Sequence, residues 1–123
     1  MSGHEHTLEH GRDLLAGLAP HTRDLRDLIP GVYEGFGRMH AAAFADGEVD
    51  RKTKELIALA IAVAVRCDGC IAAHAKAAAR EKATEKEVAE AIGIAISMSG
   101  GPGTVYGPRA IAAFRSFTAP AEG

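Results

Sequence analysis

No tryptophan occurs in this chain of 123 residues, aromatic residues make up 5% of it, and cysteine appears twice. A core with so few rings must be built from Ala, Ile, Leu and Val, and alanine removes little apolar area from water. Such a domain gains by burying more surface against copies of itself, so a homo-oligomer is expected. Long hydrophobic runs are missing too. The longest, LIALAIAVAV (Leu56–Val65), has ten residues. That is too short to span a bilayer, so no membrane partner is expected. The opening MSGHEHTLEHGRD holds neither a basic stretch nor an apolar one. No secretory signal is visible there, and a cytoplasmic location is the expectation. An excess of one charge is also absent, since the formal net charge is −2 with both signs mixed along the chain. Without a basic stripe interleaved with aromatics, nucleic acid is not an expected partner.

What is present suits one globular domain: 47% apolar and 24% charged residues. The expected division is a polar, flexible N-terminus over 1–7, a single all-helical domain over 8–118, and a polar tail over 119–123. His4, His6 and His10 read as part of a solvated end, with metal capture there the rival reading. Leu8–Leu18 forms a short helix closed by Pro20. Thr22–Gly31 carries Leu25, Leu28 and Ile29 at helical spacing. Pro30 suits the first turn of the next helix, where Val32, Tyr33, Phe36, Met39, His40 and Ala43 share a face. Asp50 is a good N-cap for a helix running to about Arg66. In that helix Ile57, Leu59, Ile61, Val63 and Val65 alternate with alanine, which imitates a strand. Alanine is the best helix former, however, so a buried helix is expected. Another helix follows from about Cys70 to Lys82. Thr84 and Glu87 have the spacing of a capping box, ahead of Val88, Ala91, Ile92, Ala95 and Ile96 on one face. Ser99–Gly103 breaks the chain before a last helix with Val105, Tyr106, Ala110, Ile111 and Phe114 inward. The fold class is all-α, with five to seven helices.

The chemistry concentrates in RCDGCIAAHAKAA (Arg66–Ala78). Separations of three and four place Cys67, Cys70 and His74 on one helical face. Cys70 falls in the first turn, where free N–H groups and the helix dipole favour a thiolate. His74, one turn on, is placed to move a proton, and Cys67 is within reach to close a disulfide. Three other readings compete. Cys, Cys and His form a legal zinc set, but the closed site lacks a fourth ligand unless a carboxylate or His40 supplies it. A thioredoxin fold would need more strands than the chain offers. Two buried cysteines packing as small apolar groups is the third. No metal and no cofactor is expected.

Glu55, eleven residues, Cys67-x-x-Cys70, three residues and His74 together resemble the signature of the alkylhydroperoxidase D (AhpD)-like group. That group lies within the carboxymuconolactone decarboxylase superfamily. The resemblance covers about Met39–Phe117, including EVAEAIGIAI and GGPGTVYGPRAIAAF. It implies a compact all-helical AhpD-like oligomer, a trimer, dimer or hexamer, and a peroxidase activity on hydroperoxides. It also implies Cys70 as the attacking thiolate, and Cys67 as the resolving and more accessible sulfur. His74 and Glu55 would form the proton relay, and an external dithiol reductant, a lipoyl group or thioredoxin-like protein, would restore the pair. Fuller relays carry a histidine where this chain has Gly69. Twelve residues of helix would set Glu55 roughly 18 Å from Cys67. Glu55 is thus expected to join the site only through a broken or tilted helix, or from a neighbouring subunit. Tyr33, His40 and Tyr106 are possible pocket walls, and Arg109 is either a substrate anchor or a surface cation.

Overall fold

The computed structural model describes residues 10–119, and these form six helices and no strand. They are α1 (Gly11–Leu28), α2 (Pro30–Phe44), α3 (Arg51–Ala64), α4 (Asp68–Arg80), α5 (Glu85–Ser99) and α6 (Gly101–Thr118). His4 and His6 lie outside the described residues. Helices α3 to α6 pack on one another, α1 lies across α4 and α6, and α2 rests chiefly on α1 and α3. The core is drawn from small and branched side chains: Leu59, Ala62 and Val63 of α3, Ile71, Ala75 and Ala78 of α4, Val88 and Ile92 of α5, and Ala110 and Phe114 of α6.

Local signals set most of the boundaries. The Asp50 carboxylate accepts from Thr53 N–H at 2.8 Å and starts α3. Thr84 and Glu87 close the expected capping box at 3.0 and 2.8 Å and start α5. The break between α5 and α6 narrows to Gly100 alone, whose φ of 71° and ψ of −138° suit glycine. Just beyond it, a Cβ on Gly103 would sit 2.8 Å from Ile96 Cα, so α5 and α6 approach closely only because that atom is missing.

Two tight ends lack the usual glycine. At the end of α3, Cys67 N–H donates to Ala62 O and Arg66 N–H to Val63 O. At the end of α4, Ala83 N–H donates to Ala78 O and Lys82 N–H to Ala79 O. Both are Schellman closures, with Arg66 at φ 59° and Lys82 at φ 66° in the left-handed position.

Three expectations need correction. Pro20 does not close a helix; α1 runs through it, as α6 runs through Pro108. Each proline deprives the carbonyl four residues earlier of its donor, and those residues, Ala16 and Thr104, are exposed, so water can replace the bond. Second, α3 is not buried all round. Glu55, Leu59, Ala62 and Val63 form its inner stripe, whereas Ile57, Ile61 and Val65, four apart, form an outer stripe 49–62% exposed. Third, Val105 points outward at 62% exposure. The face of α2 shared by Val32, Phe36 and Met39 is likewise open in the single chain.

Because a left-handed residue with a Cβ is strained, Arg66→Gly and Lys82→Gly should each raise stability by about 0.5–1 kcal/mol, read from urea denaturation. Acid should act in the opposite direction. Hydrogen bonds from Thr53 to Asp50, from Arg115 to Glu85 and from Thr84 to Glu87 hold these carboxyls below their ordinary values. The unfolded chain therefore binds protons first. Their stabilisation is complete above the ordinary glutamate value of 4.5 and is lost as the pH falls through the lowered folded values. The urea midpoint should drop from about pH 6 to about pH 3, and less steeply in Glu87→Gln; parallel curves would remove Glu87 from the account.

Candidate functional site

Helix α4 begins at Asp68, two residues earlier than expected, and this changes what each cysteine does. Cys67 is the N-cap, and its sulfur accepts the Cys70 N–H at 3.2 Å. Cys70 is the third residue of the first turn, and the two sulfurs are joined as a disulfide across a Cα–Cα distance of 5.2 Å. The positive end of the helix dipole thus bears on both sulfurs, with the direct N–H bond going to Cys67. In the single chain Cys70 is exposed and Cys67 half-buried, the reverse of the accessibility that the resemblance implied.

Asp68, between the cysteines, is gripped by Arg109 of α6. Nε and Nη2 donate to its two carboxylate oxygens at 2.9 and 2.8 Å. The Asp68 hydrogen bonds, foremost, raise the pKa of the Arg109 guanidinium, which also lies 5.4 Å over the Tyr106 ring. Arg109 is therefore neither a free surface cation nor, in this arrangement, available as a substrate anchor. It fixes the turn that carries the dithiol to α6.

Seven residues into α4, His74 meets Glu55. The Nδ1 to Oε1 distance is 2.8 Å, with Glu55 2% and His74 17% exposed at the side chain. An ionised carboxylate only accepts, so Nδ1 carries the hydrogen of this bond and Nε2 is the ring nitrogen left to exchange a proton. The expected obstacle to Glu55 is resolved without a break in α3 or a second subunit. Helix α4 runs back along α3 far enough for His74, rather than the cysteines, to be its partner. Among the described residues no hydrogen bond joins either sulfur to His74, and in the disulfide neither sulfur has a proton to exchange.

Helix α2 completes the surroundings. The ring of His74 stacks on Phe44 at 5.4 Å and 14°, and on His40 at 5.7 Å and 25°, while His40 stacks on Phe44 at 4.3 Å. Lys54 of α3 donates to the carbonyls of Ala43 and Ala45 and pins the C-terminal end of α2 in place. Beside the stack, an apolar groove of about 290 Å³ runs between α2 and α3, walled by Phe44, Val49, Ile57 and Ile61. His40 appeared in the sequence only as one possible pocket wall or ligand, and Phe44 was not singled out. Their i, i+4 spacing was the available signal. Tyr33 is half-buried away from these contacts, and Tyr106 belongs to the α6 side of the core. Among the described residues no three His, Cys, Asp or Glu side chains are grouped to hold a metal ion.

The chain has relatives. The model of the carboxymuconolactone decarboxylase family matches residues 30–118, which include every residue of the site. The chain belongs to the carboxymuconolactone decarboxylase family. A crystal structure of a carboxymuconolactone decarboxylase family protein from Legionella pneumophila, in its apo form, superposes with a TM-score of 0.82. It is 38% identical, and the match covers 85% of this chain and 93% of that one. An uncharacterized protein of Cupriavidus necator is 40% identical over 73% of this chain and 80% of its own length. A protein of the cox locus of Paracoccus denitrificans is 39% identical over 66% of this chain and 73% of its own length. The carboxymuconolactone decarboxylase family includes decarboxylases and peroxidases and is often oligomeric. Among the described residues, no helix is long and apolar enough to cross a membrane.

Removing the carboxylate should be felt at the imidazole. In Glu55→Ala the hydrogen on Nδ1 loses its acceptor, so the neutral ring should shift toward the Nε2–H tautomer and the fold should lose about 1–3 kcal/mol. Long-range proton–nitrogen NMR spectra of His74, recorded beside urea denaturation, check both. An unchanged tautomer would mean that Glu55 does not orient the ring.

Proposed function

We propose that this protein is a thiol-dependent hydroperoxide reductase of the alkylhydroperoxidase type. The observation that carries this reading is the buried Glu55–His74 pair, one helical turn from a disulfide-forming cysteine at a helix start. In the reduced protein His74 takes the proton of the Cys70 thiol, and the resulting thiolate attacks the terminal oxygen of a hydroperoxide. The O–O bond breaks, Cys70 becomes a sulfenic acid, and the alkoxide takes a proton from His74. Glu55 stabilises the imidazolium before that transfer and holds the ring afterwards. The Cys67 thiol then attacks the sulfenic sulfur, water leaves, and the disulfide is formed. An external dithiol, a lipoyl group or a thioredoxin-like protein, reduces it by exchange and is itself oxidised. The apolar groove beside Phe44 suits the organic part of an alkyl hydroperoxide. The open faces of α2 and α3, with Phe36 59%, Met39 62% and Ile61 56% exposed, support assembly as a trimer or hexamer.

One observation favours a second reading. The Cys70 N–H bonded to Cys67 Sγ stabilises charge on Cys67, as disulfide exchange with a protein partner would require of an attacking sulfur. The absence of a histidine at Gly69 points the same way.

The serine variants separate the two. For the peroxidase, Cys70→Ser should abolish peroxide consumption, and Cys67→Ser should leave Cys70 one oxygen heavier in the mass spectrum after stoichiometric alkyl hydroperoxide. For disulfide exchange, Cys67→Ser should block reaction with an oxidised partner and neither variant should consume peroxide. Wild-type activity in both serine variants would end the dithiol mechanism.

A further inference from the structure

The opposite end of α4 holds an open cleft of about 570 Å³, lined by Arg12, Lys76, Ala79, Arg80, Lys82, Ala83, Phe117 and Thr118. Four cations line it and, among the described residues, no carboxylate does. None of the four makes an ion pair among the described residues, whereas Arg51, Lys52, Arg109 and Arg115 each have one. Neutralising the C-terminal end of a helix dipole accounts for Arg80 and for part of Lys82. Arg12 serves the C-terminal end of α6 in the same way, through its bond to Ser116 O, but neutralisation does not account for Lys76, a turn before the end of α4.

One further observation points to a ligand. The Arg12 guanidinium is already oriented, since Nε donates to Ser116 O at 3.0 Å and the group lies 5.1 Å over the Phe117 ring. Its terminal nitrogens are left free of bonds among the described residues, and a pre-oriented guanidinium suits bidentate binding of a phosphate or carboxylate.

We propose that this cleft binds a small, soluble phosphate-bearing anion carrying at least two negative charges. Its volume lies in the range of small-molecule sites. Arg12 takes the phosphate oxygens in its fork, and Lys76, Arg80 and Lys82 neutralise the remaining charge. At 1.5 Å per residue the ten residues from Cys70 to Arg80 span about 15 Å, so the anion sits apart from the dithiol.

Titration calorimetry of the whole oxidised protein with inorganic tripolyphosphate tests this, because the dithiol chemistry plays no part in the reading. Saturable binding with Kd below about 1 mM at low salt is expected, weakening as salt is added. Lys76→Ala and Arg80→Ala, which break no bond within the described chain, should each weaken it about ten-fold. Lys82→Gly should weaken binding while raising stability, a combination that damage to the fold cannot produce. Absence of saturable binding, equal affinity in all three variants, or binding to phosphatidylglycerol vesicles without binding to tripolyphosphate would each overturn the proposal.

Discussion

A carboxylate on the inner stripe of an alanine-rich helix sets the terms for the rest of this fold. Glu55 lies between the apolar residues of α3 that face the core, 2% exposed, in surroundings that strongly disfavour an unpaired charge. Its hydrogen-bond partner is His74 Nδ1. The register of α4 against α3 is fixed by that requirement, because a slip of one residue would turn the imidazole to another face and strand the charge. The same bond fixes the tautomer of His74 and the plane of its ring. The plane in turn gives α2, through Phe44 and His40, a flat surface on which to stack. A helix with few other neighbours is thus held at one end by Lys54 and along one face by these rings.

Charge organises α4 at its two ends. Its N-terminal N–H groups and positive dipole end face the Cys67–Cys70 pair, an arrangement that stabilises a thiolate on either sulfur when the pair is reduced. Asp68 shares that end but does not repel the thiolate freely, because Arg109 neutralises it through two short hydrogen bonds. At the other end Lys76, Arg80 and Lys82 accumulate beside Arg12, where the C-terminal ends of α4 and α6 meet. One helix of thirteen residues therefore presents a site for a developing anion at its start and a strongly cationic cleft at its end, each made by a different part of the same backbone.

How far the sequence disclosed this depends on the range of the interaction. Asp50 with Thr53, and Thr84 with Glu87, are three residues apart, so residue type and spacing alone identify both caps. The dithiol and its histidine are legible for the same reason. The Glu55–His74 contact spans nineteen residues and depends on how closely α4 folds back along α3, which no spacing rule supplies. The distance from Glu55 to the cysteines does not decide its place in the site, since its partner is the histidine. The prolines misled in another way. Pro20 is a helix breaker by its chemistry, but it faces water, where the freed carbonyl of Ala16 costs little. Alternation misled about α3, for residues two apart on a helix lie about 200° around the axis from one another. Leu59 and Val63 consequently turn inward, while Ile57, Ile61 and Val65 turn outward.

Those outward residues belong to the same physical problem as the scarcity of rings. A core of alanine and small branched side chains lets helices approach closely, as at Gly103 against Ile96, but each residue removes little surface from water. The chain compensates by distributing its larger apolar residues over two faces. Leu59, Val63, Val88, Ile92 and Phe114 close the single-chain core, and Phe36, Met39, Ile57, Ile61 and Val65 remain outside it. The outer set includes walls of the groove beside Phe44, so a surface laid on α2 and α3 would also deepen that groove and exclude water from it. Burial that completes the fold and burial that encloses the chemistry would then be one event, because the apolar surface missing from the interior lies around the site.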